Sequence, residues 1–301
     1  MNPSPRYRFG LFGHPVAHSL SPVMHQASFR SLGIDAAYEC FDVPPGELAG
    51  RLAACREKGF NGLNLTVPHK EAAVALMDRL DRSVQLFGAV NTVRVDAGRL
   101  TGFNTDADGF LEDLSVNFRL TPEDRHVLIL GCGGAGRALA IACAGRGASV
   151  VSLANRTAAK AEQVAEDIGR LLPDVPAIVR ALPYDRAVWA ESCRQADLVV
   201  QCTTAGLHEG DASVLPPEAF RKGQLVYDIV YTRRVTPTMR AALAAGAEAA
   251  NGAGMLVYQG AAAFSIWTGL DADTAAMRAA LESHIYGGDK AGSPASDAKA
   301  D

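Results

Sequence analysis

The stretch Val127-Leu-Ile-Leu-Gly131-Cys-Gly133-Gly134-Ala135-Gly136 decides the fold, together with Arg137-Ala-Leu-Ala-Ile-Ala-Cys-Ala144 behind it. It reads as a short apolar strand, a glycine-rich turn and an alanine-rich helix. A GxGxxG pattern alone is weak evidence; between a strand and a helix it has the context that dinucleotide binding needs. Gly131 permits the tight turn, and Gly133 lets backbone N–H groups approach a pyrophosphate. Gly136 lets helix and strand pack closely. The helix N-terminus adds roughly half a positive charge aimed at the phosphates. The competing reading is a glycine turn in a core, with no ligand.

Outward from this turn, strand-like segments alternate with helices: His126 to Leu130, Ser149 to Leu153, Ala177 to Leu182, Asp197 to Gln201 and Leu225 to Val230. Short apolar strands alternating with helices predict a parallel, doubly wound sheet. The preceding ~105 residues mix strands and helices differently. Tyr7–Gly13 and Ala37–Val43 read as strands, and Ser21-Pro22 opens a helix to about Leu32, with Ser21 as N-cap and proline at N1. Glu47 to Lys58 is helical, and Gly62 to Pro68 is a strand stopped by proline. Ala89–Val95 and Arg99–Gly102 form a hairpin around Asp96-Ala97-Gly98. Helices are expected again at Met255 to Trp267 and Asp273 to His284. The Gly/Ala/Ser-rich end, 287–301, is expected to be disordered.

The chain has 301 residues, with 48% hydrophobic and 21% charged. At about 150 residues per domain this predicts two domains of ordinary globular composition. No apolar run reaches the ~18 residues of a membrane span, and the N-terminus does not read as a signal peptide. The net charge of −4, without basic runs, argues against a nucleic-acid partner. The six cysteines are scattered and form no CxxC, as expected of thiols in a cytoplasmic protein. His14, His18, His25 and His69 match no common ligand spacing, so no metal is expected.

The end of the second strand of the parallel sheet selects the cofactor. An NAD site usually carries Asp or Glu about 20 residues after the glycines. This chain has Ala154-Asn155-Arg156-Thr157, with Lys160 soon after. A carboxylate would repel a 2′-phosphate, whereas an arginine can pair with it bidentately. The pattern favours NADP. Asn155 and Thr157 either help hold the phosphate or cap the next helix.

Three clusters in the first part carry further polar chemistry. Gly13-His-Pro-Val-Ala-His-Ser19-Leu-Ser21-Pro22 places two hydroxyls just before a helix, which suits a carboxylate. Asn64-Leu-Thr66-Val-Pro68-His-Lys70 places one of only six lysines behind a proline. Gly88-Ala-Val-Asn91-Thr92 and Gly102-Phe-Asn104-Thr105-Asp106 are Asx-rich turns. Each cluster alone is equally readable as a cap, a solvated lysine or ordinary turn chemistry.

Together the clusters resemble the shikimate dehydrogenase family over about residues 8 to 270. The motifs are GxPxxHSxSPxxH at Gly13–His25, NxTxPxK at Asn64–Lys70, GAxNT at Gly88–Thr92, GxNTDxxG at Gly102–Gly109, NRT at Asn155–Thr157 and GxGMLVxQ at Gly252–Gln259, in the family's order. The resemblance implies reversible, NADP-linked oxidation of shikimate to 3-dehydroshikimate. It makes Lys70 and Asp106 the catalytic pair. By the same likeness Ser19, Ser21 and Tyr231 hold the substrate carboxylate, and Thr66, Asn91, Asp106 and Gln259 meet the ring hydroxyls. Gly131, Gly133, Gly134, Ala135, Gly136, Asn155, Arg156, Thr157, Lys160, Thr203, Ile229, Gly252 and Met255 surround the cofactor, with Gly254 and Met255 near the nicotinamide.

The chemistry fits these residue types. The cofactor takes the hydride, and the hydroxyl proton must leave through a side chain. A well-placed lysine beside a carboxylate is worth ~100- to 10,000-fold; in a Lys70–Asp106 unit either residue can carry the formal proton. The alternatives are a quinate or aminoshikimate dehydrogenase of the same family and a catalytically silent NADP-binding paralogue, which would tend to lack the pair. A methylene-tetrahydrofolate dehydrogenase would need neither Ser19 and Ser21 nor the Gln259 motif. The implied architecture is α/β with two domains: an α/β substrate domain (1–106 plus 252–286), a doubly wound Rossmann NADP-binding domain (107–251), and a cleft between them. A monomer or homodimer is expected.

Overall fold

The computed structural model describes residues 6–287, so the expected disordered tail lies outside the described residues beyond Gly287. The chain runs β1 (Tyr7–Gly13), α1 (Ser21–Ser31), β2 (Ala36–Asp42), α2 (Leu48–Glu57), β3 (Gly62–Leu65), α3 (His69–Ala72), β4 (Arg79–Leu80), α4 (Arg82–Phe87), β5 (Thr92–Asp96), β6 (Arg99–Phe103) and α5 (Asp106–Phe118). The second run is β7 (His126–Leu130), α6 (Gly134–Gly145), β8 (Val150–Ala154), α7 (Ala158–Leu171), β9 (Ile178–Leu182), α8 (Arg186–Gln195), β10 (Leu198–Gln201), β11 (Leu225–Asp228), α9 (Pro237–Ala244) and β12 (Glu248–Asn251). It closes with α10 (Ala253–Thr268) and α11 (Thr274–Tyr286).

The strands form two six-stranded sheets. The second is ordered β12-β11-β10-β7-β8-β9 and every pair is parallel. Val127, Leu128, Ile129 and Leu130 of β7 are all fully buried, as a strand covered on both faces requires. The chain steps outward from β7 to β9, then returns to β10 on the other side of β7. That reversal opens a crevice at the carboxyl ends of β7 and β10, the place where such sheets bind ligands. The first sheet is mixed, in the order β2-β1-β3-β5-β6-β4. β1 is parallel to β2 and β3, whereas β5 runs antiparallel to β3 and β6.

The last two helices return to the first sheet. Trp267 of α10 stacks on Phe9 of β1 at 4.9 Å and donates from Nε1 to the Val93 carbonyl oxygen (3.0 Å). A Cβ at Gly62 would stand 2.2 Å from the Trp267 ring, so glycine in β3 makes room for the indole. α11 packs on α1, and α10 lies along α5.

Several elements differ from the sequence reading. β4, α9 and β12 were not singled out: β4 has two residues, and Glu248-Ala-Ala-Asn251 lacks any apolar alternation. Ser21 is not an N-cap. Leu20 holds that position, Ser21 is the first helical residue, and its Oγ lies 3.3 Å from Ser19 Oγ. Its hydroxyl therefore faces sideways into a cavity, not down the helix axis.

Two buried groups give stability opposing pH dependences. His25 is fully buried against Tyr38 and Trp267 with neither ring nitrogen hydrogen-bonded. Burial lowers its pKa to about 3, although the nearby Asn64 side chain acts the other way. The unfolded chain takes up this proton near pH 6.5, so stability is whole above that and is lost as pH falls, by about 5 kcal/mol at full linkage. Asp228 goes the other way. Burial raises its carboxyl to about 6 despite bonds from Thr236, Val230 and Gln201, so its contribution is whole below about pH 4 and is lost as pH rises to 6. The two offset each other between pH 4 and 6. In urea unfolding a His25→Leu variant should therefore lose less stability than the unsubstituted protein as pH falls from 6 to 4. An unchanged pH profile in that variant would contradict the assignment.

Candidate active site

A cavity of about 210 Å³ lies where the carboxyl ends of β1 and β3 meet the start of α10. Its wall includes Ser19, Ser21, Asn64, Thr66, Lys70, Asn91, Asp106, Tyr231 and Gln259. A second, larger cavity of about 490 Å³ runs from the first turn of α6 to the same lysine and aspartate. Thr66, Lys70, Asp106 and Met255 border both.

Lys70 and Asp106 therefore stand at the junction. Lys70 is the second residue of α3, which begins directly after Pro68. Asp106 opens α5, where a carboxylate is favoured by the helix dipole. Asn104 fixes that start by accepting from the Asp106 N–H (3.1 Å). Lys70 Nζ donates to Asp106 Oδ2 at 2.6 Å, with the side chains 30% and 21% exposed. Asn91 Nδ2 donates to the other oxygen, Oδ1, at 2.8 Å. Asp106 is thus clamped at both oxygens, and its orientation is set before any ligand arrives.

A buried network holds the clamp. Asn91 Oδ1 accepts from the Thr105 N–H (2.9 Å), which fixes the direction of the carboxamide. Thr105 Oγ1 donates to the Gln259 carbonyl oxygen (2.9 Å), tying α5 to α10. Asn64 Nδ2 donates to the Asn91 carbonyl oxygen and to Thr92 Oγ1, both at 3.1 Å. Tyr38 OH donates to Asn64 Oδ1 from behind (2.7 Å). Tyr38, Asn64 and Thr105 were not assigned roles from sequence. Tyr38 gave no signal, since an aromatic residue in a strand is ordinary core; Asn64 stood inside a quoted motif.

Around Ser19, Ser21 and Tyr231 the smaller cavity is neutral. Its charged lining residues are Lys70 and Asp106 alone. Ser19, Ser21 and Tyr231 supply hydroxyls, and burial raises the Tyr231 phenol, keeping it a donor. Gln259 Nε2 is held by the Leu256 carbonyl oxygen (2.8 Å), which leaves its Oε1 as acceptor. Ile229, Gly252 and Met255, expected around the cofactor, line this smaller cavity.

The glycine turn has the shape that the sequence implies. Gly131 adopts φ +100 against Thr203. A Cβ at Gly136 would fall 1.8 Å from the Gly131 carbonyl oxygen, so strand and helix meet there without space for a side chain. At Gly133 and Gly134 a Cβ would meet nothing within 4 Å, and both are exposed with Ala135 at the tip of α6. The turn is an open cradle of backbone N–H groups at a helix N-terminus, an arrangement that suits an anion. Asn155 Oδ1 accepts from the Cys132 N–H (3.0 Å), so Asn155 braces the turn. Thr157 occupies the N-cap position of α7 without a side-chain cap bond. Arg156, Thr157 and Lys160 are exposed there and border neither cavity. No group of three or more His, Cys, Asp or Glu suited to a metal ion occurs among the described residues.

Known proteins share this fold and much of this sequence. Residues 11–93 match the family model of the shikimate dehydrogenase substrate binding domain, and residues 252–282 that of the shikimate 5′-dehydrogenase C-terminal domain. The shikimate dehydrogenase (NADP(+)) of Methanopyrus kandleri is 43% identical over 278 residues, 92% of this chain and 95% of that protein. The crystal structure of shikimate 5-dehydrogenase from Thermus thermophilus in complex with NADP(H) and shikimate has a TM-score of 0.82 at 43% identity, covering 92% of this chain and 98% of the other. Quinate dehydrogenase from Corynebacterium glutamicum in complex with NAD has a TM-score of 0.84 at 30% identity, over 92% and 99%.

Proposed function

The chain belongs to the shikimate dehydrogenase family, and on that footing we propose that it interconverts shikimate and 3-dehydroshikimate with NADP as the hydride partner. One observation carries the reading: the Lys70–Asp106 pair sits at 2.6 Å where a polar cavity meets a cleft that leads to a glycine-rich helix start. When bound, the nicotinamide supplies the hydride acceptor, and the chain must supply everything else.

Substrate recognition is assigned to the smaller cavity. Ser19, Ser21 and Tyr231 hold the carboxylate by hydroxyl donors, and Thr66, Asn91, Asp106 and Gln259 meet the ring hydroxyls. Groups matched to several hydroxyls reject analogues that lack them, because the site's own polar atoms are then left unpaired. Lys70 hydrogen-bonds the reacting oxygen, and Lys70 with Asp106 accepts or relays its proton. Gly133, Gly134 and Ala135 receive the pyrophosphate, while Arg156 and Lys160 meet the 2′-phosphate. We divide the chain into a substrate part, 1–106 with 252–286, and a cofactor part, 107–251, since each cavity is walled by residues of both parts. We take the chain to act as a monomer or a homodimer. Free thiols at all six cysteines support the cytoplasm as its place of action.

The test is absorbance at 340 nm with shikimate and quinate, each paired with NADP and with NAD. Turnover dominated by shikimate with NADP is expected. Preference for quinate would overturn the substrate assignment, and preference for NAD the role of Arg156. The double variant Arg156→Ser, Lys160→Ser should raise KM for NADP by about 10- to 100-fold, the worth of one or two charge-assisted bonds, and barely change KM for NAD. Equal losses with both cofactors would remove the 2′-phosphate from this pair.

A further inference from the structure

Arg137 stands in the first turn of α6, beside the cradle, yet its side chain turns away from it. Nη1 donates to the Phe87 carbonyl oxygen at 2.7 Å, at the end of α4 on the opposite wall of the larger cavity. Nε donates to Asp167 Oδ2 of α7, also at 2.7 Å. Arg170 holds the second Asp167 oxygen at 3.0 Å. Burial acts to raise the Asp167 carboxyl, but the bonds from Arg137 and Arg170 outweigh it and hold it below the usual range. The guanidinium is therefore fixed from behind by an ionised anchor and reaches across the cleft from one sheet system to the other.

The contacted segment leads directly to the chemistry. Phe87 is followed by Gly88, Ala89, Val90 and Asn91. The Val90 N–H donates to the Lys70 carbonyl oxygen (2.8 Å), and the Asn91 carboxamide clamps Asp106. Asn104 Nδ2 donates to the Ala89 carbonyl oxygen (3.0 Å). One short stretch of backbone thus connects the Arg137 contact to both members of the pair. Phe87 is thereby linked to Lys70 and Asp106 through hydrogen bonds of ordinary length.

We propose that Arg137 is a positioning residue for hydride transfer, a strut that sets the distance between the glycine-rich end of α6 and the Lys70–Asp106 wall. The inference rests on the reaction proposed above. Misplacement by about 1 Å can cost ~100-fold in rate without loss of any catalytic group.

The test is Arg137→Met, with Arg137→Lys and Asp167→Asn beside it, in the full chain. Single-turnover reduction of NADP by shikimate should slow by about 10- to 100-fold in R137M, with KM for shikimate little changed. R137K, which keeps the charge but not the two-pronged reach, should fall between R137M and the unsubstituted protein, as should D167N. A transfer rate in R137M equal to that of the unsubstituted protein overturns the proposal. So does a loss that only follows the unfolded fraction measured by circular dichroism. Small-angle scattering of the ligand-free proteins reads the strut without catalysis: R137M should broaden the distance distribution, and an identical one overturns the strut. If the unsubstituted protein fails to oxidise shikimate, the functional reading falls while scattering still decides the role of Arg137.

Discussion

Lys70→Ala should lower kcat by ~100- to 10,000-fold, the range for losing a positioned proton-transfer group. The geometry makes this larger than the loss of one surface lysine. Nζ lies 2.6 Å from Asp106 Oδ2 and borders both cavities, so it is the cation placed to meet an oxygen between substrate and cofactor. Asp106→Asn should fall in the same range, because it removes the negative charge and leaves one acceptor oxygen for two donors, Lys70 Nζ and Asn91 Nδ2. Residues that act as a unit are not additive, so the double variant should lose little beyond the worse single one. Affinity for NADP, measured by fluorescence titration, should stay near normal, since the cradle is built by Gly133 and Gly134 on another element. Turnover of Lys70→Ala within tenfold of the unsubstituted protein would remove Lys70 from the chemistry. Additive losses in the double variant would remove the unit while leaving each residue its own role.

Gly254→Ala should destabilise the protein by about 3–5 kcal/mol, the cost of stripping partners from a buried charge. A Cβ there would stand 1.7 Å from Asp113 Oδ1, an impossible approach, so the carboxylate must move. Asp113 is fully buried, accepts from Tyr227 OH at 2.7 Å and pairs with Arg278 at 3.1 Å. Moving it breaks both bonds and pushes α10 off α5. Met255 and Gln259 ride on α10, so activity should fall in the fraction that remains folded. Urea unfolding and activity at a temperature below the variant's transition separate the two effects. A midpoint unchanged from the unsubstituted protein would show that α10 shifts freely. From sequence alone Gly254 was placed beside the nicotinamide; the structure gives it a packing role against Asp113.

That glycine shows where the sequence stops being informative. The Gly131–Gly136 turn was legible because its requirements are local: a positive φ, a helix start and a close strand contact all act within six residues. The parallel sheet was legible for the same reason, through short apolar runs that alternate with helical segments. Lys70, Asp106, Ser19 and Ser21 stood in compact motifs that survive as words in the chain. β12 lacked such words, and its place is set by the edge of a sheet already formed; α9 does carry a start signal, Thr236 as N-cap with Pro237 at N1, which the sequence reading passed over.

By itself, then, the sequence determined the parallel α/β sheet and its glycine turn, and offered Arg156, Lys70 and Asp106 as candidates, because strand, turn and motif patterns are each local to the chain. Tertiary structure alone decided that Ser21 faces a cavity and caps nothing, that Tyr38 and Asn64 brace Asn91, that Gly254 yields to Asp113, and that Arg137 reaches Phe87. Apart from Ser21, those facts rest on contacts between residues 26 to 141 positions apart. No local pattern encodes such contacts, since a hydrogen bond or a close approach exists only once packing has brought its two halves together.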